Sequence, residues 1–212
     1  ASFVGRRPTF GATVYSRSSS DRVLVMIERS LRASRVVSRW LVSVASVLIL
    51  GSAILVTVEV VLRKFFNISI GGADELSGYA FGIATAFGMA QALHDRAHIR
   101  VDALYLLFPR WLKLIANFLG IGLLTGFAGM IAWTASDLVS DTLTHWSHSI
   151  TPLRTPLAYA QVPWLIGWLI FVLTGIVILL AAANRLRAGD HRKVDELIGV
   201  KSVEEQIEDE SS

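Results

Sequence analysis

The sequence predicts an all-α membrane protein with four transmembrane helices, an N-terminal amphipathic interfacial helix and an interfacial elbow between spans two and three. Three observations lead there. The 212 residues are 53% hydrophobic and 17% charged, with a mean hydropathy of +0.53, well to the apolar side of a soluble domain. The charges gather at the two ends and in short connectors, leaving uncharged stretches between them. Four of these stretches are long enough to cross a hydrocarbon core of about 30 Å at 1.5 Å per residue.

The first segment, residues 1–39, is basic. Its opening twenty or so residues, rich in Ser, Gly and Arg, lack the apolar run of a cleavable signal peptide and read as a flexible cytoplasmic arm. From Asp21 to Arg39, Val23, Leu24, Ile27 and Leu31 gather on one side of a helix, and Arg22, Arg29, Arg32, Arg35 and Arg39 on another. Such a helix lies along a membrane surface, with a solvated basic helix as the alternative.

Residues 40–184 form the membrane domain, with spans at about 40–62, 74–94, 111–137 and 161–184. Span one opens on Trp40 and closes on Glu59, Arg63 and Lys64, where Glu59 and Arg63 have ion-pair spacing. Asn67 to Gly72 reads as a turn. Asp74 and Glu75 open span two at the positive end of a helix dipole. Gly78 and Gly82 there, like Gly122 and Gly126 in span three, make a smooth face that admits another helix, within the chain or from a partner. Between His94 and Lys113 a charged stretch, a short apolar stretch and Pro109 read as an elbow, with Asp102 a helix cap and Pro109 in the first turn of the next helix. Pro152 and Pro156 interrupt the connector before span four, which enters with Trp164 and Trp168 as interface anchors. Residues 185–212 are a charged cytoplasmic tail ending in the acidic run Glu204 to Glu210. Lys and Arg cluster beside the arm, the elbow and the C-terminal flank, which places both termini in the cytoplasm.

Chemistry is sparse. Without cysteine there is no disulfide framework, thiolate metal site or cysteine nucleophile. The net charge of +3 comes from arginines beside spans, so membrane lipids are the expected partner and nucleic acid is not. His94, His98, His145 and His148 all fall at interface depth, away from the span interiors where haem ligands project, so no cofactor and no metal site are expected. A carrier with its own pathway places ionisable groups or broken helices at the midplane. The four uncharged runs contain neither, and no nucleophile–base pair or phosphate loop is present. The chain reads as a non-enzyme that packs against another membrane protein.

An ordered series of motifs sharpens this. Arg63-Lys64-Phe65-Phe66-Asn67 ends span one, Glu75-Leu76 opens span two, and His98-Ile99-Arg100-Val101-Asp102 is followed by Leu104 and Phe108-Pro109. In these motifs, from roughly Val42 to Ala183, the chain resembles the small membrane subunit of tripartite ATP-independent periplasmic (TRAP) transporters, the DctQ-like family. The resemblance implies a scaffold subunit in the bacterial inner membrane that pairs with a large permease subunit carrying substrate and coupling ions. It also implies a periplasmic substrate-binding protein that delivers an organic acid. Glu75, His98, Arg100 and Asp102, with Arg63 and Asn67 behind them, are then structural or partner-facing positions. A haem- or quinone-linked respiratory anchor and a self-associating four-helix protein are the competing readings.

Overall fold

A computed structural model of the chain describes residues 19–96 and 109–199. Among the described residues the structure is helical, with an isolated bridge between His148 and Pro156. The helices are α1 (Ser19–Phe66), α2 (Ala73–His94), α3 (Arg110–His145), α4 (Ala158–Arg187) and α5 (His191–Ile198). Three of them, α1, α3 and α4, are long and apolar enough to cross a membrane.

The basic helix and the first span, expected as separate pieces, are one helix of 48 residues that runs unbroken through Arg39 and Trp40. Nothing in the sequence there stops a helix: no Gly or Pro lies between Ser19 and Leu50, and the serines on the way return their hydroxyls to the preceding turn. Ser38, Ser43 and Ser46 donate to the carbonyls of Ser34, Arg39 and Val42 at 2.8–3.1 Å, which satisfies the hydroxyl inside an apolar segment. Asn67 ends α1 in a left-handed conformation (φ 54°), and the Ile68 N–H closes on the Leu62 carbonyl at 3.3 Å. Asn tolerates that region better than most side chains, so this position has a conformational reason of its own.

Helix α4 is the centre. It packs against α1, α2, α3 and α5, while α3 rests mainly on α4 and leaves its opposite side uncovered. The core is built from Ala90 and Leu93 of α2, Ile121 and Ala128 of α3, Phe171 and Ile178 of α4, and Val194 and Ile198 of α5. Trp168, expected as an interface anchor, turns inward instead and meets Trp164 and Phe171 edge to face at 6.4 and 6.0 Å, an arrangement the aromatic quadrupoles favour.

Close helix approach depends on Gly167 and Gly175. A Cβ on Gly167 would stand 2.8 Å from the Ala86 Cβ of α2, and one on Gly175 would collide with the Thr125 hydroxyl of α3. Among the described residues, no neighbour outside the helix's own backbone comes within 4 Å of where a Cβ would stand on Gly78, Gly82, Gly122 or Gly126. Of the two uses expected for those four, packing inside the chain is not seen among the described residues. Their sides of α2 and α3 turn away from α4.

Helix α5 appears in what reads from sequence as a charged tail. The Asp190 carboxylate caps it by accepting the Lys193 N–H at 3.2 Å, and Val194 and Ile198 are fully buried.

Candidate interaction site

At one end of the helices, two carboxylates gather the connectors. Glu59, on the last turns of α1, is only 3% exposed. It accepts from Arg63 at 2.8 Å, from the Ser69 hydroxyl at 2.6 Å and from the Ile70 N–H at 2.8 Å. The expected Glu59–Arg63 pair is thus one arm of a clasp that folds the turn after α1 back on its own helix. Glu75, in the first turn of α2, accepts from the Tyr79 hydroxyl at 2.8 Å and from the Thr151 hydroxyl. The Ser149 hydroxyl holds Thr151 twice, lying 2.8 Å from the Thr151 hydroxyl and accepting the Thr151 backbone N–H at 3.1 Å. Leu153 lies so close to Gly72 that a Cβ there would come within 2.9 Å of it. Residues 146–157 are in this way laid over the start of α2.

Arg63, Asn67 and Glu75 are brought to this one end. Arg63 keeps most of its side chain in the open and Asn67 is exposed; both remain reachable by a partner, whereas both Glu75 oxygens already accept. His98, Arg100 and Asp102, with the elbow they define, lie outside the described residues. Glu59 and Thr151 are the residues that sequence reasoning undervalued. The signal for Glu59 was a carboxylate one turn before Arg63, facing a Ser-Ile turn whose donors need an acceptor.

At the opposite end, Arg185 of α4 pairs with Glu28 of α1, His94 Nε2 and the Ser34 hydroxyl lie 3.1 Å apart, and Arg96 reaches the Asp195 carbonyl at 3.4 Å. His145 belongs to the other end, beside Asp141 at 3.2 Å. His94 and His145 therefore cannot share a ligand. Among the described residues no group of three or more His, Cys, Asp or Glu is placed to hold a metal.

Between the ends lie apolar sides with little cover. Only 6% of the apolar window of α1 is buried, against 39% for α4. Trp40, Val47, Leu50 and Ile54 line the open side of α1, and Leu119, Leu123, Phe127 and Trp133 that of α3. An open crevice of about 470 Å³ between α1 and α2 is lined by Val42, Ala45, Ile49, Ala53 and Ala84, with only Ser46 and Thr85 as polar neighbours. Among the described residues no charged side chain lines it, which gives an ionic solute no partner there. Such a surface is made for lipid or for another apolar helix.

A family model for the DctQ component of tripartite ATP-independent periplasmic transporters matches residues 52–188. The chain belongs to this family. The match runs from the last third of α1 to the end of α4, and leaves outside it the earlier part of α1, its basic segment included, and the whole of α5. No curated protein and no solved structure matches the chain. A DctQ component is part of a transporter and not an enzyme, and with its apolar helices it is a multi-pass protein of the bacterial inner membrane that works with a large permease subunit and a binding protein.

Proposed function

We propose that this chain is the scaffold of a TRAP transporter: it braces the large permease subunit during ion-coupled uptake of an organic acid, and the periplasmic binding protein brings the solute. The observation that carries this reading is the contrast in cover: few residues of the apolar stretch of α1 are fully buried, those that pack doing so on α2, while α4 is enclosed by its neighbours. A helix with one side on α2 and the other open along its length offers that open side to a partner. The uncharged spans and the apolar crevice support the division of labour, since neither supplies a site for an anion or a coupling ion.

In this reading α2 is the fourth span. Its 22 residues extend about 33 Å, it is uncharged from Leu76 to Leu93, and it packs between α1 and α4. Both termini face the cytoplasm, in keeping with the distribution of Lys and Arg. Glu59 and Glu75 then organise the periplasmic end, and the elbow with His98, Arg100 and Asp102 lies at the cytoplasmic interface facing lipid or the large subunit. Gly78, Gly82, Gly122 and Gly126 supply close-approach positions for its helices.

The test is uptake by vesicles that contain the large subunit with and without this chain, with the binding protein outside. Uptake is expected only with both membrane subunits. Uptake from vesicles containing this chain alone, or full uptake by the large subunit without it, overturns the scaffold reading.

A further inference from the structure

We propose that the trough between the first half of α1, the end of α4 and α5 is a binding site for the phosphate headgroup of an anionic phospholipid. The trough has a volume of about 260 Å³; Arg35, Arg185 and Lys193, one cation from each of the three helices, line it. A second depression along α1 continues it past Arg32. The charge balance is uneven. Glu28 is matched by Arg185, and Lys193 by Asp190 at 3.1 Å. Arg32 and Arg35 have no hydrogen-bond or ion-pair partner among the described residues, so the trough keeps an excess of positive charge that an anion would neutralise.

Its depth fits a headgroup. The uncharged stretch of α1 begins at Trp40, little more than one turn beyond Arg35, and that of α4 ends just before Arg185. Arginines at this level meet the phosphates of the bilayer surface. The floor is apolar, made by Ile27, Leu31 and Leu197. On its membrane side the trough opens past Ala181 toward the apolar stretch of α4, the direction in which a lipid continues from its phosphate and a free phosphate does not. Docking of α5 through the buried Val194 and Ile198 holds Lys193 opposite Arg35, so the site is built by tertiary packing and not by one basic helix alone. Most of it, the α1 and α5 parts, falls outside the family match at 52–188. The inference needs α1 and α4 to cross a bilayer, and stands apart from the orientation and partnership proposed above.

Native mass spectrometry of the full chain, titrated with phosphatidylglycerol or with phosphatidylcholine, tests it. Phosphatidylglycerol is expected to bind preferentially, and Arg32→Gln with Arg35→Gln to lower that preference by about fivefold per arginine. Arg35→Lys keeps most of it, and Arg154→Gln at the opposite end leaves it unchanged. Leu31→Trp, which fills the floor without touching a charge, must also weaken binding, so a misfolded double variant does not shelter the idea. An equal affinity for the two lipids, or a double variant that keeps its preference, overturns the site. Complete displacement by millimolar glycerol phosphate shows a site for free anions instead, and a preference that emerges only when residues 204–210 are removed assigns the trough to the acidic tail.

Discussion

Two sets of glycines in this protein sit in apolar helices and meet opposite surroundings. On α4, Gly167 and Gly175 lie under Ala86 and Thr125 with no room for a methyl group. On α2 and α3, Gly78, Gly82, Gly122 and Gly126 meet no neighbour among the described residues, although theirs is the four-residue spacing associated with helix pairing. Spacing tells that a helix side is smooth. Which neighbour it meets is decided by the packing order: α2 lies between α1 and α4 while α3 rests on α4, and among the described residues the glycine-bearing sides of α2 and α3 fall outside these contacts.

The sharpest way to break this contrast is to fill both kinds of position. Gly175→Leu drives a side chain into Thr125 and is expected to destabilise the isolated chain by about 3 kcal/mol, read as a lowered midpoint of detergent unfolding; Gly167→Leu behaves alike. A mild effect at both would mean that the α4 contacts are looser than the geometry shows. By contrast, Gly82→Leu and Gly126→Leu are expected to leave the isolated chain unchanged or up to about 1 kcal/mol more stable, because Leu is the better helix former. The same two variants should reduce co-purification with the large permease subunit. If they co-purify as well as wild type, these sides face lipid only.

Smaller effects probe the ends. Thr151→Val removes the hydroxyl that ties residues 146–157 to Glu75, and several-fold faster amide exchange is expected across that connector with little change in overall stability. The smallest effect is the pH response of α5. The Lys193 backbone N–H, and then its ammonium group, hold the Asp190 carboxyl below its ordinary value. A carboxyl whose folded pKa is depressed contributes stability that is present above the ordinary carboxylate range and fades as pH falls through the lowered value. Helix α5 should therefore hold steady from pH 7 to about 5 and loosen below about pH 4, followed by exchange at Val194, and Asp190→Ala should abolish the response.

The long helices were legible because charge exclusion from apolar stretches is a local property of the chain, and so were the turn at 67–72 and the Glu59–Arg63 pair. The continuity of α1 was not. Arginines on one side of Ser19–Arg39 mark an amphipathic segment, but whether it bends away at Trp40 depends on contacts, and Glu28 and Ser34 hold it against Arg185 and His94. Helix α5 was hidden by its charges, although Asp190 followed by Val194, Leu197 and Ile198 is a cap with an apolar side. Of the expected site residues, Arg63 and Asn67 close α1 and Glu75 opens α2, on either side of one short connector, but the tie from Glu75 to Thr151 spans 76 positions and leaves no mark in local sequence.

The unbroken α1 has a mechanical consequence. From Ser19 to Arg39 it carries about 31 Å of rigid backbone beyond its apolar stretch, with no joint at the membrane surface to absorb rotation. A tilt of about 10° in the span, ordinary for transmembrane helices, then sweeps the far tip through about 5 Å. Pinned to α4 by Glu28 and Arg185, the rod works as an outrigger: it resists rocking of the span, and whatever rocking remains is delivered to the basic arm as displacement.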